Sequence, residues 1–381
     1  MIFYLNLTII KIYWKLFMIS EKIKSLIQSQ DPHAGMDQLF FTNSEIFHAS
    51  YDAIFKKQWV FLTHLSYFNQ TNIFTYNLNK GFIEIKKTDD NQLSISASDP
   101  NIKCHLKVYE SLVFINLSNS PYSFDEFIKP LEPYIKIHGL NDGKIAFQKD
   151  FIFNASHLAT IHNFKECAHC WGGEFTHKDY LSVHGEDYCN SYGAGVGSGI
   201  EAPKLTKRIK EWTEQTLKRG LFVGEYSEHD SKYFRIAERT PLPDGIASET
   251  MDGSYSCSTL MGDFREIGAD NGYTAIGFSP FNSFVANNEF VILFLFSPIS
   301  QNKTVVTQYW VTHKDAEVDV DKMIFLWDQT STEDSQLCEM NQKGIESRSY
   351  QPGKYGDLET SLVQYQKFYL NHLQTHLNDL V

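Results

Sequence analysis

The segment 162–180 (HNFKECAHCWGGEFTHKDY) concentrates residues that bind metal ions. Glu166 and His169 are three residues apart, so on a helix they would share one face. His177 adds a second imidazole further along the chain. Two imidazoles and one carboxylate form the facial set that holds non-haem iron and leaves coordination positions open for oxygen and substrate. The segment therefore predicts a single-iron site whose carboxylate ligand comes from elsewhere in the chain.

The spacing of the two histidines requires a break in the helix. His169 and His177 are eight residues apart, which on a continuous helix is roughly 12 Å of axial rise. That separation is too large for one metal ion. Gly172 and Gly173 lie between the two histidines, and glycine allows a helix to end abruptly. The sequence thus supplies the break that a shared metal needs.

The carboxylate ligand is best supplied by Asp334, in the segment WDQTSTEDSQLCEMNQKG at 327–344. A helical pattern puts Asp334 on one face with Trp327, Thr330, Leu337 and Asn341. A carboxylate on an inward-facing stripe is costly unless it is paired or bound to a metal. Glu333 is rotated off that face, so we expect its side chain to be solvated.

Two other interpretations of these residues stay open. Cys167, His169, Cys170 and His177 have the residue types and short spacing of a zinc site. Alternatively, the histidines are ordinary structural residues beside apolar segments. Spacing alone does not separate iron, zinc and plain structure.

Composition limits the class of protein. The chain has 381 residues, 42% of them apolar, which is enough for a large core. Its net charge is −12, with 34 Lys and Arg against 46 Asp and Glu, and it has no basic stripe of the kind that binds nucleic acid. Six irregularly spaced cysteines indicate a reducing, cytoplasmic setting. The apolar start, residues 1–18, is interrupted by Asn6, Lys11 and Lys15, so we expect an over-called start before Met18 or a short membrane-surface helix rather than a transmembrane span.

The elements that would position these residues divide into two blocks, and the predicted class is α+β. Residues 44–118 predict a helix followed by short strands with turns between them. Residues 118–134 carry three prolines and predict a linker. The second block predicts strands and long helices, a curved antiparallel sheet around a helix. Its predicted strands include 288–298 and 303–313, and its predicted helices cover 157–170, 203–219, 318–344 and 357–378. The predicted domains are an extension at 1–36, a β domain at 37–125 and a catalytic domain at 126–381.

Several stretches of the sequence resemble a known family. The run from Asn163 to Cys170, followed by His177, looks like the iron-binding segment of the large (alpha) subunit of Rieske-type non-haem iron oxygenases. It is most similar to the branch that oxidises choline, glycine betaine and carnitine. The stretch 327–353 resembles the last ligand region of that family, and residues 44–64 and 111–118 resemble parts of its N-terminal domain.

The resemblance implies roles for individual residues. His169 and His177 correspond to the two iron histidines, and Asp334 corresponds to the iron carboxylate. Glu166 matches the acidic residue that passes electrons between subunits, and Asn163 matches a polar residue beside the iron. The implied catalytic domain is a helix-grip fold, usually in trimers, with Fe²⁺ as cofactor.

The chain departs from the family pattern at the second histidine. The family places that histidine five residues after the first, a position occupied here by Glu174. Either three residues are inserted around Gly172 and Gly173, which we prefer, or Glu174 replaces the histidine.

The N-terminal block departs further. A Rieske centre needs two Cys-and-His pairs to hold its two-iron cluster. Between Trp59 and Val113 the chain has one cysteine, Cys104, with His105 beside it and His64 well before it. We therefore predict a degenerate Rieske-like domain and no 2Fe–2S cluster in this chain.

The predicted function is an iron oxygenase that uses O₂ to hydroxylate or demethylate a small organic substrate, with quaternary ammonium compounds suggested by the resemblance. Its electrons would come from a cluster-bearing oxygenase subunit or reductase, within a homo- or heterotrimer. The alternatives are an iron enzyme whose substrate supplies the electrons, a non-catalytic subunit or binding module of the same fold, and a structural zinc site. Trp171, Tyr188, Tyr192 and Phe281 are candidate aromatic walls for a cationic substrate.

Overall fold

The computed structural model describes residues 20–165, 169, 177–184, 203–229, 232–356 and 359–379. The predicted N-terminal extension up to Met18 lies outside this set. Within it, no helix combines the length and apolarity needed to cross a membrane.

From residue 20 onward, where the structure describes it, the N-terminal block contains three α-helices and two small antiparallel sheets. Its elements are α1 at 20–28, α2 Gln38–Thr42, α3 Ser44–Ala53, β1 Val60–His64, β2 Ile73–Asn77, β3 Phe82–Lys87, β4 Leu93–Ala97, β5 His105–Tyr109 and β6 Leu112–Asn116. One sheet has the order β1-β6-β5 and the other β2-β3-β4. The Asn43 side chain starts α3 by accepting from the N–H groups of Glu45 and Ile46. Burial alternates along β2 and β3, as a period of two predicts for strands with one covered face. β1 and β6 are buried at every position, so both of their faces are covered.

The segment predicted as a linker is instead largely helical. It holds α4 (Phe124–Ile128) and α5 (Glu132–Lys136). Pro130 and Pro133 stand in the first turns of helical segments, where the N–H that proline lacks would have no partner in any case. The prolines therefore start short helices rather than extend the chain.

The second block is built on one large antiparallel sheet. Its strands are β7 Gly143–Phe153, β8 Glu225–His229, β9 Phe234–Pro241, β10 Gly272–Ser279, β11 Asn282–Ala286, β12 Phe290–Ser300 and β13 Lys303–His313. Their order is β7-β13-β12-β11-β10-β9-β8. In the long β12–β13 pair, Leu293 faces Tyr309 on one side of the sheet and Ile292 faces Trp310 on the other. All four side chains are buried, so in this pair both faces of the sheet are covered.

Helices cover the face that bears Trp310. Of the described helices of this block, α6 His157–Asn163, α7 Lys178–His184, α10 Val320–Ile345 and α11 Thr360–Asp379 contribute to the same buried cluster as Trp310. The block also contains α8 Pro203–Lys218 and α9 Phe264–Ile267. Asp319 caps the N-terminus of the 26-residue α10 by accepting from the Lys322 N–H at 3.2 Å. This arrangement confirms the predicted α+β class, with an antiparallel sheet packed against long helices.

Two predicted features of these helices are wrong. The helix predicted over 157–170 ends at Asn163, where the N–H of Lys165 bonds to the C=O of His162 at 3.0 Å and tightens the last turn. On α10, Leu337 is half-buried and Asn341 is exposed. The buried stripe instead steps by three or four residues through Trp327, Thr330, Asp334, Cys338 and Gln342, as the 3.6-residue helical period requires.

Candidate metal centre

Three elements bring the predicted site residues together. The middle of α10 turns Asp334 inward, where its side chain is 4% exposed. His177 immediately precedes α7 and is 2% exposed. His169 lies in the connection between α6 and α7, and its side chain is 15% exposed. The end of α6 adds Asn163, whose Nδ2 donates to Asp334 Oδ1 at 2.6 Å.

The three candidate ligand atoms form a compact triangle. His177 Nε2 lies 3.1 Å from His169 Nε2 and 3.1 Å from Asp334 Oδ1. The third edge, from His169 Nε2 to Asp334 Oδ1, is 3.4 Å. Ligand atoms about 2.1 Å from a metal ion and at right angles to one another lie roughly 3.0 Å apart. The triangle therefore has the size of one face of an octahedral metal site.

The hydrogen bonds around His177 also fit a metal ligand. Its Nδ1 lies 2.8 Å from Glu333 Oε2, and since a carboxylate only accepts, Nδ1 carries the proton. In the neutral imidazole, Nε2 then presents a lone pair to Asp334 Oδ1, which is another acceptor. Two acceptors 3.1 Å apart need a cation or a proton between them. The residues present thus fit a bound metal ion.

The pKa values of His177 and Asp334 also indicate that the buried carboxylate needs a positive charge beside it. Burial lowers the pKa of His177, but hydrogen bonds and charge from Asp334, together with the bond to Glu333, outweigh burial and raise it above its ordinary value. Burial raises the pKa of Asp334, but the bonds from His169 and His177 hold it well below its usual range. Without metal, a proton on the histidines compensates the buried carboxylate, and a divalent cation would displace that proton.

Glu333 was expected to be solvated, and this expectation is wrong. Its side chain is only 24% exposed, and it accepts from His177 Nδ1–H and from Gln329 Nε2 at 2.9 Å. Although Glu333 is rotated off the Asp334 face, its side chain is long enough to reach around the helix. It forms the carboxylate–histidine pair that commonly orients metal-binding histidines.

Several predicted site residues lie outside the described part of the chain. They are Glu166, Cys167, Cys170, Glu174 and three of the four candidate aromatic walls, Trp171, Tyr188 and Tyr192. The fourth wall, Phe281, is buried and stacks on His157 with ring centroids 4.7 Å apart. It also meets Phe55 edge-on at 4.9 Å. Phe281 thus packs where α6 meets the N-terminal block.

His64 and His105, which the sequence places in the degenerate Rieske-like domain, contact hydroxyl and carbonyl groups of the protein. His64 Nε2 contacts the Leu140 carbonyl at 2.9 Å and its Nδ1 contacts Ser66 Oγ at 2.9 Å. Burial lowers the pKa of His64 to about 4. His105 Nε2 contacts the Ser118 carbonyl at 3.1 Å. Among the described residues, His169, His177 and Asp334 are the one group of His, Cys, Asp or Glu that closes to metal-binding distance.

With this geometry established, comparison with known proteins identifies the class. Residues 160–375 match the family of the ring hydroxylating alpha subunit (catalytic domain). The chain belongs to this family, which confirms the predicted resemblance. The catalytic domain of the family implies a mononuclear iron.

The relatives fall in the quaternary ammonium branch. The chain is 28% identical over 282 residues to a glycine betaine monooxygenase oxygenase subunit of Pseudomonas aeruginosa, covering 72% of this chain and 62% of the relative. It is 28% identical over 275 residues to the corresponding subunit of Chromohalobacter salexigens, covering 70% and 58%. The chain thus spans about three-fifths of the length of these curated relatives.

Solved structures share the fold. A quaternary ammonium Rieske monooxygenase linked to carnitine oxidation superposes with a TM-score of 0.61 at 14% identity, over 91% of this chain and 96% of that one. A naphthalene 1,2-dioxygenase with bound indole gives 0.58 at 12% identity, over 92% and 95%. Both likenesses cover more than nine-tenths of this chain, which confirms the predicted fold.

Proposed function

We propose that this chain is a mononuclear non-haem iron oxygenase in which His169, His177 and Asp334 hold one Fe²⁺. The observation that carries the proposal is the triangle of ligand atoms, with edges of 3.1, 3.1 and 3.4 Å. The same geometry supports His177, rather than Glu174, as the second histidine. An insertion around the two glycines is then the simplest account of the spacing.

Each residue around the triad has a distinct task. Iron at this site would supply O₂ activation through its open coordination positions. Glu333 fixes the His177 tautomer by accepting from Nδ1–H, so that Nε2 keeps its lone pair for the metal. Asn163 donates to Asp334 Oδ1 and holds the carboxylate in one orientation. By resemblance, Glu166 would pass electrons arriving from a neighbouring subunit.

The proposed substrate is a small quaternary ammonium compound of the glycine betaine or carnitine type, because the relatives named above act on this class. Oxidative removal of one N-methyl group consumes O₂, a pair of electrons and a pair of protons, and it releases formaldehyde and water. These electrons must come from a donor.

The proposed donor is a separate cluster-bearing oxygenase subunit or reductase, and the chain itself holds no 2Fe–2S cluster. In support, His64 and His105 are engaged by Ser66 Oγ and by backbone carbonyls, and Cys104 Sγ contacts the Ile102 carbonyl at 3.9 Å. A homo- or heterotrimer in the cytoplasm completes the proposal.

Single-turnover chemistry tests this function. The iron-loaded protein is mixed with glycine betaine, O₂ and a chemically reduced iron–sulfur donor protein, and formaldehyde is measured. We expect formaldehyde in proportion to bound iron, and none from the matched Asp334→Ala variant. Iron binding without product from glycine betaine, carnitine or choline would favour a non-catalytic binding module instead. Exclusive retention of zinc would favour the structural zinc site.

A further inference from the structure

A second carboxylate, Glu249, is completely buried against α7 and α10. Its side chain and that of His184 are both 0% exposed, and His184 Nε2 lies 3.2 Å from Glu249 Oε1. The same Oε1 accepts from Trp327 Nε1 at 3.2 Å. Within the described part of the chain, Oε2 makes no hydrogen bond. Burying a carboxylate costs several kcal/mol that pairing only partly offsets, so this arrangement needs an explanation.

The two partners of Glu249, His184 and Trp327, lie on the segments that carry two of the candidate metal ligands. His184 follows His177 by seven residues, and Trp327 precedes Asp334 by seven residues. Seven residues are about two helical turns, roughly 10.5 Å along each helix. Glu249 therefore connects α7 to α10 through His184 and Trp327. This connection lies about two helical turns away from His177 and Asp334, where the triad connects the same two segments.

Tyr180 fills the space between these two connections. Its ring stacks on His184 with centroids 4.1 Å apart and meets Trp327 edge-on at 5.5 Å. On the other side it lies 6.5 Å from the His177 ring. Packed aromatic rings transmit a displacement because they cannot be compressed. A movement of α7 at His184 would therefore reach His177.

The loop that presents Glu249 is itself firmly held. The neighbouring Ser248 donates its hydroxyl to Glu289 Oε1 at 2.5 Å. Glu289 also accepts from the N–H groups of Ser256 and Cys257, at 2.9 and 2.7 Å. Glu289 is fully buried between β11 and β12. The loop that carries Glu249 is thus fixed to the sheet. The helix α7 is only seven residues long, so it depends on such contacts for its position.

We infer that Glu249 is a positioning residue for the metal site: by joining His184 on α7 to Trp327 on α10, it keeps His177 and Asp334 at chelating distance. This inference rests on the proposed iron site. Metal–ligand distances tolerate deviations of about 0.2 Å, so a small rotation of α7 is enough to open the triangle. Glu249 lies two turns from the triad and acts through His184 and Tyr180.

Cobalt(II) titration of the full chain tests the inference, with Co²⁺ as an oxygen-stable probe of the iron site. Glu249→Leu removes both contacts and should weaken Co²⁺ binding about 10- to 100-fold, as loss of outer partners does at other metal sites. It should also change the visible spectrum of the bound ion. Glu249→Gln keeps an acceptor for Trp327 and a polar partner for His184, and should restore most of the affinity.

Asp270→Asn is the matched control. Asp270 is another buried carboxylate, paired with Arg239 at 2.9 Å, and it bonds to neither α7 nor α10. This variant should lower the melting temperature and leave Co²⁺ affinity and spectrum unchanged. If Glu249→Leu does not fold, Trp327→Phe decides, with an expected loss of about three- to tenfold.

The outcomes separate the two proposals. Glu249→Leu, or Trp327→Phe in its place, binding Co²⁺ as tightly as the unmodified chain would overturn the positioning role while leaving the iron site intact. If Asp270→Asn loses as much Co²⁺ affinity as the Glu249 variant, the loss is due to general destabilisation of the fold. That result would also overturn the positioning role of Glu249. An unmodified chain that binds neither Co²⁺ nor Fe²⁺ overturns both proposals.

Discussion

Removal of the Glu333 carboxylate should weaken metal binding although Glu333 does not touch the metal. Its Oε2 accepts from His177 Nδ1–H at 2.8 Å, and Gln329 holds the other oxygen at 2.9 Å. A hydrogen bond to a charged group contributes about 1.5–3 kcal/mol. The Glu333 side chain is 24% exposed, so solvent reduces this to about 1–2 kcal/mol. That corresponds to a roughly 5- to 30-fold weaker metal affinity.

Two substitutions at Glu333 separate the contribution of its charge to metal affinity from the contribution of its hydrogen bond. Glu333→Gln keeps an acceptor for Nδ1–H and should lose only a few-fold in affinity, because the tautomer is still selected. Glu333→Ala loses the acceptor as well and should show the full effect. Glu339→Gln is the control on the same helix, since Glu339 pairs with Lys343 and Asn154 rather than with a histidine.

The assay is an anaerobic Fe²⁺ titration against a competing chelator, with the melting temperature of each metal-free variant measured in parallel. The reasoning is refuted if Glu333→Ala binds Fe²⁺ within twofold of the unmodified chain. It is also refuted if Glu339→Gln loses as much affinity as Glu333→Ala. Either result would mean that the bond to His177 Nδ1 does not prepare Nε2 for the metal.

Three further predictions follow from the structure. Asn163→Ala removes the donor to the buried Asp334 carboxylate and should lower the stability of the metal-free chain by about 1–3 kcal/mol, measured by urea unfolding; an unchanged midpoint would contradict it. Glu238 is buried on β9, and burial, with the Glu225 charge, raises its pKa to about 8. Because this folded-state pKa is above the unfolded value, stability should fall as pH rises from about 4.5 to 8, and Glu238→Gln should be more stable than the unmodified chain by roughly 3–5 kcal/mol at most at pH 9 and equal to it near pH 4. Cys104→Ser should leave bound iron and the visible spectrum unchanged, since Cys104 holds no cluster in this account; loss of iron–sulfur absorption bands would contradict it.

The regular elements could be predicted because they repeat a pattern over many residues. The strands predicted at 288–298 and 303–313 appear as Phe290–Ser300 and Lys303–His313, and α10 and α11 begin and end within three residues of their predicted limits. The segment 118–134 could not be predicted in this way. Proline fits both an extended linker and the first turn of a helix, and packing decides between them.

The sequence was enough to single out His169, His177 and Asp334 as candidate ligands, but it did not show the side chains that support them. Asp334 stood out because a carboxylate on a buried helical stripe is costly. The contact between Glu333 and His177 depends on the length of the glutamate side chain and on the position of His177 beside α10. A helical pattern in the sequence gives no information on either. Glu249 carries no sequence pattern at all, since its partners on α7 and α10 meet only in the folded chain. The eight-residue spacing of His169 and His177 likewise needed the three-dimensional arrangement to bring their Nε2 atoms within 3.1 Å.

The most direct test of the central claim is the iron content of the anaerobically reconstituted chain, measured together with that of Asp334→Ala. A single facial triad predicts about one Fe²⁺ per chain, without the absorption bands of a two-iron cluster, and near-complete loss of iron in the variant. Less than about a tenth of an equivalent in the unmodified chain, or equal iron in Asp334→Ala, would contradict the assignment of His169, His177 and Asp334 as the iron ligands.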